Sequence, residues 1–199
     1  MFTFSNLCLY GEGSGLGMSL DGQLIAALKE FKDLSTIKAL LNQGAGVNVN
    51  HGDSPLHIAA HNGNTAILKI LLDKGAGLES QGISAYTPLH TAVNSGKLYA
   101  VLFLLQQGAN VNAKDASSKT PLENALLAYL NIAQATTGSG KTERANREVN
   151  QNRKEIIKIL MEHGGKIKQE TWENLEPKIQ ESLGTYIHEY LKIASIDNS

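Results

Sequence analysis

The tetrapeptide SPLH at residues 54–57 returns as TPLH at residues 87–90 and as TPLE at residues 120–123. Each phrase begins 33 residues after the one before it. A fixed period of this length is typical of folds that stack one small structural unit along an axis. The repeat therefore decides the architecture of the chain.

Within one unit the residue types predict two short helices. Ser54 can cap unpaired amides, and Pro55 suits the first helical position because proline has no amide to leave unpaired there. Gly63 ends this helix, as glycine does just past a helix C-terminus. The second helix ends at Gly75 and has an apolar stripe that consists of Ile67, Leu68, Leu71 and Leu72.

The segment that leads from one unit to the next is expected to be an extended hairpin or a turn. Residues 76–86 contain Gly77, Gly82 and Ser84, which are residue types that favour turns. A unit of two short helices and one turn cannot bury its own apolar face. Neighbouring units must therefore stack to form a continuous core.

A second phrase recurs out of phase with the first, at the end of each unit. It reads LLNQGA at residues 40–45, LLDKGA at 71–76, LLQQGA at 104–109 and LMEHGG at 160–165. Together the two phrases resemble the ankyrin-repeat family over about residues 20–168. The resemblance implies an all-α fold, an ankyrin-repeat solenoid of stacked helix-turn-helix pairs with β-hairpin or turn fingers.

The resemblance also implies a domain organisation. It gives about four repeats, at residues 20–50, 51–83, 84–116 and 117–168. The first lacks the TPLH phrase and is interpreted as an N-terminal cap, since terminal repeats are usually atypical. Residues 1–19 are expected to be a loosely held tail, and residues 169–199 are expected to form C-terminal capping helices.

The fourth repeat carries an insertion near residues 134–152. Gly164 follows Gly108 by 56 residues, where the period predicts 33, so 23 extra residues lie between its two helices. The first helix is expected to be longer than its equivalents, because apolar positions continue to Ala133. The polar residues 136–152 are expected to be a mobile loop or an elaborated turn, with the second helix starting at Arg153.

Composition excludes several classes of function. The formal net charge of -1 argues against a nucleic-acid-binding protein, whose surface is normally strongly basic. The longest apolar run, residues 98–105, is far shorter than the roughly 20 residues of a membrane-spanning helix. No secretory signal is expected in residues 1–20. A single cysteine, Cys8, rules out an internal disulfide and fits a reducing compartment, so we expect a cytoplasmic protein.

Residues 135–142, ATTGSGKT, match a relaxed phosphate-binding loop in which Lys141 would reach the phosphates and Thr142 would hold Mg²⁺. Such a loop follows a buried strand, whereas the residues before this one predict a helix. A plain surface loop is favoured, and accessory nucleotide binding is kept as an alternative. The glycines of residues 11–17 fail the dinucleotide-binding spacing.

The histidines offer no catalytic or metal-binding set. His57 and His61 are four residues apart on a helix, which could suit a metal, but no third ligand has suitable spacing. No Ser-His-Asp or Cys-His arrangement is evident. We expect no catalytic residues, no metal and no cofactor, and hence no enzyme. The family resemblance implies instead that His57 and His90 bond the backbone of adjoining turns.

The resemblance further implies that the finger tips and the exposed sides of the first helices form a concave surface that binds another protein. Tyr86 is expected to contribute most, because a tyrosine offers contact area and a hydroxyl at small entropic cost. The predicted contact positions are Asn50, His51, Asp53, His61, Asn62, Ile83, Ser84, Tyr86, Asn94, Ser95, Ala116, Ser117 and Lys119. A monomer is expected.

One alternative concerns the setting in which the chain acts. The sequence is similar to small free-standing ankyrin proteins of intracellular bacteria, which are delivered into host cells. The resemblance thus allows an effector that binds a host protein in the host-cell cytoplasm. The Glu-rich C-terminal residues are compatible with a transport signal and equally with a capping helix.

Overall fold

The computed structural model describes the backbone of residues 17–49, 52–135, 140–168, 170–171, 174 and 196–197. Side-chain surroundings are described for residues 17–49, 52–131, 151–168, 170, 171 and 174. Most of the predicted tail at 1–19 and of the predicted capping segment at 169–199 therefore lies outside the described residues.

The described chain has eight α-helices, which follow one another in pairs. They are α1 (Leu20–Lys29), α2 (Leu34–Asn42), α3 (Pro55–Asn62), α4 (Thr65–Asp73), α5 (Pro88–Asn94), α6 (Leu98–Gln106), α7 (Pro121–Ala135) and α8 (Gly140–Glu162). A 3-10 helix at Ile83–Ala85 lies between α4 and α5. Two short strands, β1 (Ile167–Lys168) and β2 (Ile196–Asp197), complete the described elements.

The helices form two layers. Helices α1, α3, α5 and α7 pack side by side in that order, and we call them the inner layer. Helices α2, α4, α6 and α8 form the outer layer in the same order, and each packs against the inner helix of its own unit. This arrangement confirms the predicted all-α solenoid.

Each inner helix of the central units begins with the predicted cap. The Thr87 hydroxyl accepts a hydrogen bond from the His90 amide at 3.4 Å, and the Thr87 amide donates to His90 Nδ1 at 3.2 Å. This reciprocal capping box pairs two amides that helix geometry leaves without partners. At the other end of the equivalent helix, Gly63 adopts a left-handed φ of 78°, which glycine tolerates without strain.

Small and large apolar residues have different roles in the core. Ala59, Ala60 and Ala92 are fully buried and let neighbouring inner helices approach closely. Leu68 and Leu71 fill the space between the layers, and full burial of such a side chain is worth about 1.5–3 kcal/mol. The predicted stripes therefore face the core as expected.

A series of side chains links the turns that follow the outer helices. Each accepts a hydrogen bond from a backbone amide that lies two residues past the glycine ending an outer helix. The pairs are Asp21 with Gly46 at 2.6 Å, Asn48 with Gly77 at 2.8 Å, Glu79 with Asn110 at 2.8 Å, and Asn112 with Lys166 at 2.8 Å. From Asn48 onward, each bond joins one unit to the next.

The fourth unit corrects one prediction and confirms another. Helix α7 is 15 residues long, as its continuing apolar positions predicted. The prediction of a loop over residues 136–152 is wrong from Gly140 onward, because α8 begins there and not at Arg153. Residues 136–139 lie outside the described part. The physical reason is that Glu, Arg, Lys and Gln are strong helix formers even where no apolar stripe marks a helix.

Arg153 anchors the long helix α8 to the neighbouring unit. Its Nη2 donates to the Asn94 carbonyl at 2.9 Å, at the C-terminal end of α5. A cation is favourable at this end of a helix, where carbonyl groups lack intrahelical partners. Burial lowers the pKa of Arg153, and its side chain is almost completely enclosed.

The connections between units are turns. Residues 76–87 contain the 3-10 helix and no strand, so the hairpin form of the expected finger is not adopted there. Strand pairing occurs instead near the C-terminus. There β1 and β2 run parallel, with Ile167 opposite Ile196 and Lys168 opposite Asp197, which the sequence did not predict.

Candidate partner-binding surface

Two finger turns define the edge of the inner surface. Finger 3 denotes residues 82–86, which lead into the unit of α5 and α6, and finger 4 denotes residues 115–119, which lead into the unit of α7 and α8. In finger 3 the Gly82 amide donates to the Tyr86 carbonyl at 2.8 Å, and in finger 4 the Asp115 amide donates to the Lys119 carbonyl at 3.0 Å. The Ala116 amide donates to the Ser84 carbonyl at 2.9 Å, so the two turns are joined.

Finger 4 is organised by its own carboxylate. Asp115 Oδ1 accepts hydrogen bonds from the amides of Ser117 at 2.8 Å and Lys119 at 2.9 Å. Its Oδ2 accepts from Asn124 Nδ2 at 3.0 Å. Burial raises the pKa of Asp115, but the bonds from Asn124, Lys119 and Ser117 outweigh burial and hold it below its usual value. Ser117 and Lys119, two predicted contact residues, are thereby placed on a fixed turn.

Finger 3 has a glycine where finger 4 has this aspartate. Asp53, from the preceding unit, supplies the carboxylate, and its Oδ1 accepts from the Ile83 amide at 3.1 Å. A Cβ on Gly82 would overlap that oxygen, so the glycine leaves the space that Asp53 occupies. Asp53 was predicted as a partner contact, and the structure gives it a second role in holding finger 3.

A buried histidine on the inner helix of one unit bonds the finger that leads into the next unit. His57 Nε2 bonds the Tyr86 carbonyl at 2.8 Å, and His90 Nε2 bonds the Lys119 carbonyl at 3.2 Å. The expected structural role of these residues is confirmed. Burial lowers the pKa of His90, although its bond to Lys119 acts in the opposite direction.

In the fourth unit Glu123 replaces the histidine and makes equivalent bonds. It accepts from the Thr120 amide at 2.8 Å and from the Lys168 amide at 3.0 Å. A carboxylate with two oxygens can thus accept at the cap and also reach the next connection. Glu123 in the TPLE sequence therefore keeps the hydrogen bond from the inner helix to the following connection that histidine makes in the earlier units.

Several predicted contact residues on the inner helices bond each other or the backbone. His61 Nδ1 and the Ser95 hydroxyl lie 2.8 Å apart, which links α3 to the end of α5. Asn62 Nδ2 donates to the Leu28 carbonyl at 2.7 Å. Asn94 accepts from Arg153 through its carbonyl, as described above. These contacts fix the inner surface, and whether the same residues touch a partner stays a prediction.

The fingertips present Ile83 and Ser84 more openly than Tyr86. Ile83 is 61% exposed. The Tyr86 ring is half-buried and stacks on His90, with ring centroids 5.6 Å apart. Ala116 and Ser117 are exposed beside them on finger 4. Asn50 and His51 lie outside the described residues.

A groove of about 330 Å³ runs along α3 on the inner surface. It brings together the predicted residues Asp53, His61 and Asn62. The other lining residues were not predicted, and they are Lys29, Phe31, His57, Ile58 and Thr91. Phe31 is 71% exposed, and its position in a turn between two helices gave no periodic signal.

Three further facts bear on other functions that the sequence raised. Among the described residues, no group of three or more His, Cys, Asp or Glu side chains could hold a metal ion. No helix in the described part of the chain is both long enough and apolar enough to cross a membrane. The relaxed phosphate-loop sequence follows helix α7, which ends at Ala135, and no strand precedes it there.

Comparison with known proteins agrees with the fold. Residues 24–115 match the family described as ankyrin repeats (three copies). The chain is also similar to an ankyrin repeat and KH domain-containing protein of Caenorhabditis briggsae, with 46% identity over 48 residues. That alignment covers 23% of this chain and 2% of the length of the relative. The matched residues span α2 to α6 and most of α1, so this part of the chain consists of ankyrin repeats, and such repeats are generally protein–protein interaction modules.

Proposed function

We propose that this chain binds a partner protein on its inner surface, which is formed by fingers 3 and 4 and the exposed side of α3 and α5. The observation that carries the proposal is the groove along α3, which opens beside a fingertip isoleucine that is 61% exposed. Hydrogen bonds between units hold both the groove and the fingers in place. A surface held in this way loses little conformational freedom on binding, which favours affinity.

The proposed role is binding without catalysis. The repeats belong to a family that is typically non-catalytic, and the described inner surface is built from turns and helix ends joined by structural hydrogen bonds. We place this activity in the cytoplasm and assign it to a monomer.

The proposal is tested by replacing an exposed residue on each layer. Ile83→Ser alters a fingertip, and Tyr99→Ser alters an equally open side chain, 74% exposed, on outer helix α6. Each tagged full-length variant is expressed in cells, and captured proteins are quantified by mass spectrometry. We expect at least a fivefold loss of the specific partner with Ile83→Ser and no change with Tyr99→Ser. Equal capture by all three chains, or a loss confined to Tyr99→Ser, would contradict the proposal.

The effector alternative differs in where the partner is met. It rests on the acidic segment of residues 169–199, which holds five Glu and one Asp against two Lys. Deleting residues 180–199 and measuring transfer into a host cell tests this alternative. Transfer that persists after the deletion would show that these residues are not the transport signal, and a full chain that is not transferred would contradict the effector alternative.

A further inference from the structure

Phe31 occupies a backbone position that glycine occupies in the next two units. Its amide donates to the Leu28 carbonyl, as the amides of Gly63 and Gly96 donate to carbonyls three residues before them. The φ angles agree in sign, at 54° for Phe31, 78° for Gly63 and 65° for Gly96. Phe31 is therefore a bulky residue in a left-handed conformation that the repeat assigns to glycine.

This placement costs stability and gains little packing in return. Left-handed backbone is unfavourable for a residue with a Cβ, and especially for a bulky one. The Phe31 side chain is 71% exposed, so it buries little apolar surface within the described chain. Strain of this kind is concentrated at functional sites, where another requirement maintains it. An apolar contact from outside the chain would meet that requirement.

The ring lines the groove on inner helix α3, together with Ile58 and Thr91. The Asn62 bond to the Leu28 carbonyl holds the C-terminal ends of α1 and α3 side by side. Phe31 and Lys29 therefore lie at the C-terminal end of the groove. Asp53 lies at its other end, directly before the cap of α3. The groove has an acid at one end and a base beside the exposed Phe31 at the other, and Ile58, His61 and Thr91 are among the residues that line it.

Both terminal charges are available to a ligand. In the described part of the chain, Lys29 has no ion-pair partner, and the nearby Glu30 pairs with Lys32 at 3.3 Å. Among the same residues, Asp53 has no cationic partner, and one of its carboxylate oxygens accepts a hydrogen bond from the Ile83 amide. The eight residues of α3 span about 12 Å, which matches about four residues of an extended peptide.

We propose that this groove binds an extended segment of the partner protein with a basic side chain at Asp53, an apolar side chain on Phe31 and Ile58, and an acidic side chain at Lys29. The charges at the two ends differ in sign, so they fix which end of the segment lies at Asp53 and which lies at Lys29. Phe31 determines the apolar position. This inference rests on the proposed function and adds the chemistry of the partner.

The experiment selects peptides from a random heptapeptide display library on the immobilised full chain. The wild-type chain is expected to enrich sequences in which an apolar residue lies between a basic and an acidic residue, all within about five positions. Lys29→Glu should replace the acidic preference by a basic one. For a synthetic peptide of the wild-type consensus, Phe31→Gly should raise the Kd at least tenfold, whereas Tyr99→Ser should leave it unchanged.

Unfolding measurements separate this role from a structural one. Because glycine suits the left-handed φ, Phe31→Gly should keep or raise the urea midpoint of unfolding while it weakens peptide binding. A lowered midpoint, an unchanged Kd, a consensus without this charge order or no enrichment at all would overturn the inference. Partner capture that depends on Ile83 but not on Phe31 or Lys29 would leave the proposed function standing and reject only the groove chemistry.

Discussion

Fingers 3 and 4 have the same backbone turn, but the carboxylates that hold the two turns come from different places. In finger 4 the turn begins with Asp115, whose carboxylate accepts the amides of Ser117 and Lys119. In finger 3 the turn begins with Gly82, and Asp53 of the preceding unit supplies the oxygen that accepts the Ile83 amide. One finger is self-contained and the other depends on its neighbour.

The difference shows how coupling between units can be created without changing the fold. A carboxylate from another unit makes the geometry of finger 3 depend on how units 2 and 3 stack. The same carboxylate also lines the groove, so a ligand at Asp53 acts directly on a residue that holds the next finger. Finger 4 lacks this dependence because its acid belongs to the turn itself.

The largest effect is expected for Asp115→Ala. The change removes the acceptor for two amides and for the buried side chain of Asn124, and we expect a loss of about 3 kcal/mol in the free energy of unfolding. The pKa of Asp115 is lowered in the folded state, so its contribution is complete at pH 7. That contribution is lost only as the pH falls below about 3.9 and through the folded-state value.

Urea denaturation at pH 7 measures this loss. Asp73→Ala provides the control, because Asp73 is exposed and pairs only with Lys69, at 3.6 Å. An exposed pair of this kind contributes about 0.5 kcal/mol. If Asp115→Ala costs no more than this control, then the carboxylate does not organise finger 4.

The next effect in size comes from giving finger 3 its own acid. Gly82→Asp places a side chain against the Asp53 carboxylate, and we expect a loss of about 2 kcal/mol from overlap and like charge. In an Asp53→Ala background the new carboxylate can take the place of the missing one. The rescue is partial, because a Cβ at residue 82 still lies 3.1 Å from His57 Nε2.

A double-mutant cycle on Asp53 and Gly82 isolates this exchange. We expect the two changes together to cost about 1 kcal/mol less than the sum of their separate costs, as measured by urea denaturation. Gly82→Ala is the matched variant, since it adds the overlap without the acid. Strictly additive losses would show that Asp53 does not substitute for a local aspartate.

The two fingers also show which structural features can be predicted from the sequence and which cannot. Helix starts and ends were predictable at Pro55, Gly63 and Thr87, because caps and left-handed glycines act over a few residues. The bond from the Ile83 amide to Asp53 was not predictable, since it depends on two turns 30 residues apart. Position 118, where Ser118 has a φ of 58°, likewise gives no local signal for its left-handed conformation.

The same restriction to local signals explains which residues of the candidate site could be predicted from the sequence. Asp53, His61 and Asn62 were predicted as contact residues because the family resemblance carries its variable contact positions onto them. Phe31 was missed because its meaning appears only when its φ angle is compared with those of Gly63 and Gly96. The polar half of α8 was missed for a different reason, since no apolar stripe distinguishes a solvated helix from a loop.

A smaller effect is expected from the histidine that links α5 to finger 4. Burial lowers the pKa of His90, so the folded chain binds fewer protons than the unfolded chain as the pH falls below about 6.5. Stability should therefore be complete above that value and decrease as the pH falls toward the folded-state pKa. We expect His90 to account for a loss of about 0.5–1 kcal/mol between pH 7 and pH 5.5.

This dependence is measured by urea denaturation of the wild-type chain and His90→Gln at both pH values. Glutamine does not titrate, so the variant should lose less stability than the wild type over this interval, whatever its stability at pH 7. The comparison uses the difference between pH values and is not affected by a constant loss of packing. Identical pH dependence in the two chains would contradict the assignment.

The smallest effect concerns the links that all units share. Glu79 accepts the Asn110 amide, while Asn48 and Asn112 also donate, at 2.9 and 3.0 Å, to the carbonyls of Gly75 and Gly164. Glu79→Gln adds a donor where the carboxylate has none, and we expect a gain of about 0.5 kcal/mol in unfolding free energy. Asn112→Asp removes the donor and should lose a similar amount. Urea denaturation measures the unfolding free energy of both variants. Opposite shifts in this free energy would mean that donation strengthens the link, whereas wild-type values in both variants would mean that acceptance alone holds it.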